Sequence, residues 1–392
     1  MALNRLTMVK AVVRAVTQAV MRVSTATLCV AALAVQGCAW LGIGDKKLPA
    51  LSELKTNNAS VAWTANVGKS GGFMFTPAFA DRAVYAAGRD GSIYALSEEG
   101  GRVVTRMDAK SYLTGGVGAA DGIIGVAGKG EILAMDTSGR SLWKAQIAGE
   151  VLAPPVLALG NMIVRTSDGR IIALNRIDGK RKWVYPRAAP ALTLRTNASV
   201  LINRGVIYAG YPGGKLVALE LDTGKPIWEA TISLPRGSNE LERIADVSGL
   251  PFLDDTRICA AVYQGRTGCL ETLNGNVLWS REISSADGVA IDTRHLYVAD
   301  TEGVVFALDK TNGATVWKQE KLKGRDPSTP ITLKDRIVIG DRQGFVHVLS
   351  LENGDLTGRI ATDGSRVVSL SANVDRAIVQ TEKGGVFAIA VK

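Results

Sequence analysis

Short apolar runs rich in Val, Ile, Tyr and Trp alternate with clusters of Gly, Asp, Asn and Pro along nearly the whole chain, and none of the runs has a helical period. One stretch shows the unit clearly: Arg204-Gly-Val-Ile-Tyr-Ala-Gly210, then Gly214-Lys-Leu-Val-Ala-Leu219, then Asp222-Thr-Gly224, then Lys225-Pro-Ile-Trp228. Such runs predict strands joined by tight turns, because β-branched and aromatic side chains suit a pleated surface while Gly, Asn and Asp accept turn geometry. The unit returns eight times, marked by a glycine followed five residues later by a large aliphatic residue: Gly91/Leu96, Gly130/Met135, Gly169/Leu174, Gly214/Leu219, Gly265/Leu270, Gly303/Leu308, Gly344/Leu349 and Gly384/Ile389. Copies spaced about forty residues apart, each burying its apolar face on its neighbours, predict an all-β chain: an eight-bladed β-propeller of four-stranded antiparallel blades.

The residue before the aliphatic marker is alanine in six copies, Cys269 in the fifth and Val348 in the seventh, which suits a place where sheets approach closely. A tryptophan follows the marker in five copies, at Trp143, Trp183, Trp228, Trp279 and Trp317, whereas Val104 and Gly358 stand there in the first and seventh. A position repeated in blade after blade serves packing between sheets better than an aromatic ligand site. The eighth copy ends at Lys392 with no room for its tryptophan strand, while Trp63 lies in an unassigned strand-like run before the first copy. That N-terminal run is therefore expected to supply the outer strand of the last blade, closing the ring and removing two open sheet edges.

The first residues have a different character. No acidic residue precedes Asp45, and Arg5, Lys10, Arg14 and Arg22 lead into the apolar stretch Leu28-Cys-Val-Ala-Ala-Leu-Ala-Val35, which is too short for a bilayer-spanning helix and reads as a secretory signal. Met21 would start a more compact version of it. The segment Val35-Gln-Gly-Cys38 resembles a bacterial lipobox, which implies a signal peptide over 1–37 and a lipidated Cys38; with the repeats placing the propeller over 60–392, residues 38–59 are left as a lipidated tether. Ala39 lacks the aspartate associated with inner-membrane retention, so the resemblance implies a lipid anchor on the periplasmic side of the outer membrane.

Loss of the signal lowers the formal net charge from +9 to +5, and no basic stripe with interleaved aromatics occurs, so nucleic acid is not an expected partner. Cys259 and Cys269 would remain on adjacent strands of one hairpin, either joined in an oxidising compartment or buried as thiols. His295 and His347 have no companions at metal-ligand spacing, and no nucleophile elbow, P-loop or haem motif is present, so neither a catalytic residue nor a metal is expected. Gly115-Gly-Val-Gly118 reads as close backbone contact near a crowded axis.

Marker intervals of 39, 39, 45, 51, 38, 41 and 40 place extra residues at two successive junctions, within 185–195 and 232–248. Both follow a tryptophan strand and precede the next inner strand, so they emerge on one face. Long loops on a rigid repeat are where binding concentrates. Leu192, Leu194, Leu241 and Ile244 offer apolar anchors, and Arg195, Glu240, Glu242, Arg243 and Asp246 offer directional charge, a mixture suited to a protein partner. A tolerated insertion with its own small cluster is the plainer alternative.

Repeats such as Ala307-Leu-Asp-Lys-Thr-Asn-Gly-Ala-Thr-Val-Trp317 resemble those of quinoprotein alcohol dehydrogenases, which hold pyrroloquinoline quinone (PQQ) within an eight-bladed ring; that enzyme is the rival reading. Those enzymes use adjacent cysteines and an acidic calcium set and are considerably longer, whereas Cys259 and Cys269 are ten residues apart and the loops that would build a cofactor chamber are short. With the lipobox, the eight repeats, Leu192-Thr-Leu-Arg195 and Glu242-Arg-Ile-Ala-Asp-Val247, the mature chain resembles the BamB family of outer-membrane protein assembly lipoproteins. The resemblance implies a non-enzymatic, cofactor-free scaffold that binds the periplasmic POTRA domains of BamA through Leu192, Leu194, Arg195 and Asp246, with Glu242 and Arg243 of the same acidic segment as further candidate contacts, and assists unfolded outer-membrane proteins. Ser248 replaces a second aspartate of the family pattern.

Overall fold

The computed structural model describes residues 49–54, 56–187, 192–195 and 197–392. Cys38 and the proposed signal lie outside the described residues. The chain divides into Met1–Pro49 and Ala50–Lys392, and the second unit holds eight four-stranded antiparallel sheets. Seven follow chain order, the first being Ala78–Ala80, Ala83–Ala87, Ser92–Ser97 and Val103–Asp108. The eighth combines Val367–Ala372, Arg376–Thr381 and Gly385–Val391 with the N-terminal strand Ala59–Asn66. The expected eight-bladed propeller, closed by its N-terminal strand, is what the chain forms.

The closing strand reproduces the register of an ordinary outer strand. Trp63 lies opposite Ala388, as Trp143 lies opposite Ala134, Trp183 opposite Ala173, Trp228 opposite Ala218 and Trp317 opposite Ala307. In all of these blades a bulge accompanies the tryptophan pair, so the outer strand twists the same way each time.

Each indole joins its blade to the next. Trp63 donates its Nε1 proton to Glu98 O, Trp143 to Arg176 O, Trp183 to Leu221 O, Trp228 to Thr272 O, Trp279 to Lys310 O and Trp317 to Leu351 O, at 2.9–3.0 Å. The ring rests on a glycine in the following blade's outer turn; at Gly179, for example, a Cβ would collide with Trp143, and its φ of 69° favours glycine independently. Burying the ring while satisfying its one polar group is what makes tryptophan suited to this junction.

The exception in blade seven has a geometric cause. An indole at Gly358 would need the turn between the last two strands of blade eight, but that is where the chain ends meet: Lys392 N donates to Asn58 O. The incoming N-terminal segment fills the space instead, and a Cβ on Gly358 would lie 3.0 Å from the Ala59 Cβ. In blade one Thr105 stands opposite Ala95, and Met107 packs against Gly139 of blade two.

The core is divided among the blade junctions. All eight aliphatic markers are at most 2% exposed. Trp63 belongs to the cluster between blades eight and one, with Val84, Leu96, Ile378 and Val386, while Ala59 belongs to the cluster between blades seven and eight. Around the axis, a Cβ on Gly118 would collide with the Pro155 carbonyl, so the inner strands approach as closely as the glycine-rich run suggests.

Cys259 and Cys269 are paired directly across their hairpin, with Cα atoms 4.0 Å apart, and form a disulfide. Both are fully buried. Closing a loop of about ten residues restricts the unfolded chain by about 2–3 kcal/mol. The Cys259→Ala/Cys269→Ala double variant is expected to lose that much in chemical denaturation, and an unchanged midpoint would show the bond to be thermodynamically idle.

Candidate docking surface

The two long junctions, 186–200 and 232–251, meet. Leu194 N donates to Asp246 Oδ2 at 2.7 Å, which ties the first loop to the second. Asp246 is itself fixed: its backbone pairs with Pro212, its carbonyl accepts from Tyr263 N at 2.9 Å, and the next residue, Val247, donates to Tyr211 O at 3.2 Å. Residues Ala245, Asp246, Val247 and Ser248 are all buried. Burial raises the Asp246 carboxyl above its ordinary range, and the amides of Leu194 and Gly213 offset only part of that. A carboxylate buried this deeply positions the neighbouring loop.

The residues around it divide into presented and supporting groups. Leu192 is 44% exposed and Arg195 is exposed, whereas Leu194 is half-buried over the Asp246 contact. On the second loop Leu241 is exposed, and so is Leu234, which the sequence did not single out. Glu242 caps its own turn, accepting from Ser238 N at 2.7 Å and Asn239 Nδ2 at 2.8 Å, and Arg243 Nε donates to Gly237 O. Glu242 and Arg243 thus brace the turn that carries them. Ser248 donates to Ala286 O at 2.6 Å, tying the base of this loop to the next junction.

Arg195 does not pair with Asp246. Its Nη2 meets Glu150 Oε1 at 2.8 Å, and its guanidinium carbon lies 5.0 Å from the centre of the Phe73 ring. The loop thus reaches from the junction of blades three and four to the segment that opens blade one. Such a contact depends on ring closure and has no local signal in the sequence.

Beneath the loops a guanidinium is buried without an ion pair among the described residues. Arg165 is 5% exposed; it donates to Ala198 O at 3.1 Å and to Gly210 O, and it lies 5.1 Å from the centre of the Tyr211 ring. Arg187 covers the same ring at 4.4 Å and pairs with Glu229 at 2.6 Å. Burial pushes the Tyr211 hydroxyl up to about 12, so it stays neutral. Arg165 anchors the end of the first loop through Ala198.

The axis offers a cavity of about 790 Å³, lined by side chains such as Leu201, Phe252, Val289, Ile331 and Leu370. Asp254 at its rim is paired with Lys310 at 3.0 Å. A quinone bearing several carboxylates needs cationic groups and a free acidic set for calcium, whereas no lysine or arginine is among the residues lining this cavity and its two carboxylates, Asp254 and Asp255, are already paired with Lys310 and Arg204. Among the described residues no group of three or more His, Cys, Asp or Glu side chains is placed to hold a metal. His347 pairs with Asp341 and His295 lies beside Asp292, both as structural contacts.

A family model described as outer membrane protein assembly factor BamB matches residues 89–319. The outer membrane protein assembly factor BamB of Nitrosomonas eutropha is 42% identical over 353 residues, 89% of this chain and 86% of that protein. The crystal structure of BamB from Moraxella catarrhalis aligns with a TM-score of 0.78 at 26% identity, covering 85% of this chain and 99% of that one. The quinohemoprotein alcohol dehydrogenase from Comamonas testosteroni aligns with a TM-score of 0.69 at 14% identity, covering 85% of this chain and 76% of that one, a likeness of fold alone.

Proposed function

Because the chain belongs to the BamB family of outer membrane protein assembly factors, we propose that it is a non-enzymatic scaffold, anchored through a lipidated Cys38 on the periplasmic side of the outer membrane, that docks on the POTRA domains of BamA. There it assists the assembly and insertion of β-barrel proteins, with unfolded outer-membrane proteins as its indirect or direct clients. The observation that supports docking is the Leu194–Asp246 bond, which holds two loops from neighbouring blades as one surface and leaves Leu192 and Arg195 presented.

The division of labour follows from burial. Leu192 fills an apolar groove on the partner, and Arg195 exchanges its exposed bond to Glu150 for a partner carboxylate. An exposed ion pair contributes at most about 1 kcal/mol, so that exchange is easy. Asp246 acts through Leu194 by positioning.

The triple variant Leu192→Ala/Leu194→Ala/Arg195→Ala is expected to bind solubilised BamA about 100-fold more weakly, the effect of losing roughly 3 kcal/mol at a docking centre. Its thermal unfolding should match that of the parent. Undiminished binding by a folded triple variant defeats the assignment.

A further inference from the structure

The contact between Arg195 and Phe73 leads to a second group of residues on the same face. Phe73 is half-buried in the segment before blade one, and a second guanidinium, Arg89, lies against the same ring with its carbon 3.9 Å from the ring centre. Arg89 also lies 5.8 Å from the centre of the Tyr112 ring, and Tyr112 is 68% exposed. Arg89 Nη1 donates to Leu113 O at 3.1 Å, and the Arg89 backbone is held on both sides, its N–H by Lys69 O and its carbonyl by Leu113 N.

Charge on this patch is unbalanced. Arg89 belongs to no ion pair among the described residues, and the neighbouring Asp90 is turned away to accept from Ser92 N and Ser92 Oγ. Glu150 is the only carboxylate bonded to either arginine among the described residues. Several other cations on this face are matched: Lys110 with Asp108, Arg170 with Asp168, and Arg187 and Lys215 with Glu229.

We propose that Phe73, Arg89 and Tyr112 form the second half of the docking surface, a carboxylate-binding patch continuous with Arg195 that receives an acidic segment of the same protein partner. The inference rests on the docking reading above and extends it from two loops to the opening of blade one. Stacking on a ring holds a guanidinium in place while leaving much of its planar donor fork free, and that fork matches a carboxylate with two parallel hydrogen bonds. Among the described residues Arg89 has no carboxylate to give up. Tyr112 supplies exposed, rigid aromatic area at its side, a residue type enriched at interface centres.

Charges at the margin of an interface act chiefly through association rate and salt dependence. Binding of full-length lipoprotein to detergent-solubilised BamA is therefore measured at low and high NaCl for the parent, Arg89→Glu, Tyr112→Ser and the Leu192/Leu194/Arg195 triple variant. The expected result is about a tenfold weaker affinity for Arg89→Glu, mostly through slower association, with a shallower salt dependence, and a smaller loss for Tyr112→Ser. Tyr112→Ser alters an exposed side chain, so it keeps the test valid should Arg89→Glu prove unstable. Parent-like affinity and salt dependence in both single variants, with binding lost in the triple variant, overturn the patch and leave the loop docking intact. Loss in Arg89→Glu and Tyr112→Ser without loss in the triple variant supports the patch and overturns the loop assignment.

Discussion

Deleting the strand Ala59–Asn66 is expected to abolish the closed ring and the cooperative unfolding of the whole propeller. The deletion strips the ladder from Gly385–Val391, whose partners run from Ala59 opposite Val391 to Asn66 opposite Gly385. It also takes Trp63 out of the junction between blades eight and one and Ala59 out of the junction between seven and eight. Removing one large buried aromatic side chain costs about 3–5 kcal/mol on its own, and a newly exposed strand edge invites association between molecules. The milder Trp63→Ala variant should fold with a stability lowered by that amount in chemical denaturation. A synthetic peptide spanning 57–67 should restore a sharp transition to the deleted chain by occupying the vacant edge. A deleted chain that unfolds like the parent would mean that blade eight closes without this strand.

The second large effect is expected at a buried charge network in blade seven. Asp341 accepts from Arg325 Nε at 2.7 Å and from His347 Nε2 at 3.0 Å, and Arg325 and Asp341 are each 1% exposed while His347 is fully buried. Arg359 Nε donates to His347 Nδ1 at 3.3 Å, which assigns the histidine proton to Nε2. The same Arg359 holds the entry of the N-terminal segment, donating to Ser52 O at 3.0 Å and, through its amide, to Asn57 Oδ1 at 3.0 Å. Asp341→Ala leaves a buried guanidinium and imidazole without their carboxylate, so a loss of about 3–5 kcal/mol is expected. The Arg325→Met/Asp341→Leu pair, which removes both charges, should recover much of it. An Asp341→Ala chain as stable as the parent would show that water reaches the site.

This network also sets a direction for pH. Burial lowers the His347 pKa from 6.5, with Asp341 opposing only in part, so below pH 6.5 the unfolded chain takes up a proton that the folded chain refuses. Stability therefore falls as pH drops through that value. Burial would raise the Asp341 carboxyl, but the bonds from His347, Phe345 and Arg325 outweigh it and hold the group below its ordinary range. Its contribution is present above the unfolded value of 3.8 and disappears as pH falls through the folded one. Asp287 works the other way, since burial pushes it up to about 6. The His347 contribution is thus read as the difference between the parent and His347→Gln in denaturation midpoints from pH 8 to 5.5; the parent should decline more steeply below pH 6.5.

Blade number, strand order and the closing role of Trp63 were legible in the chain because they are properties of a repeat. A spacing near forty residues, four apolar runs per spacing and complementary chain ends leave one arrangement in which each unit covers its neighbour. Even the irregular intervals were legible, since extra length between an outer strand and the next inner strand emerges on a single face. What each side chain does within those loops was not. Asp246 and Arg195 both look like surface charges in the sequence, yet one is buried under Leu194 and the other reaches Glu150 and Phe73. Those outcomes depend on where distant blades come to rest once the ring closes, as does the absence of tryptophan at Gly358, where the missing turn of blade eight leaves an indole no surface to cover. Local pattern determines a strand and its face, because both follow from a period of two and from burial. Contacts between loops of non-neighbouring blades are set by the circumference of the assembled ring, and only the tertiary structure carries that length.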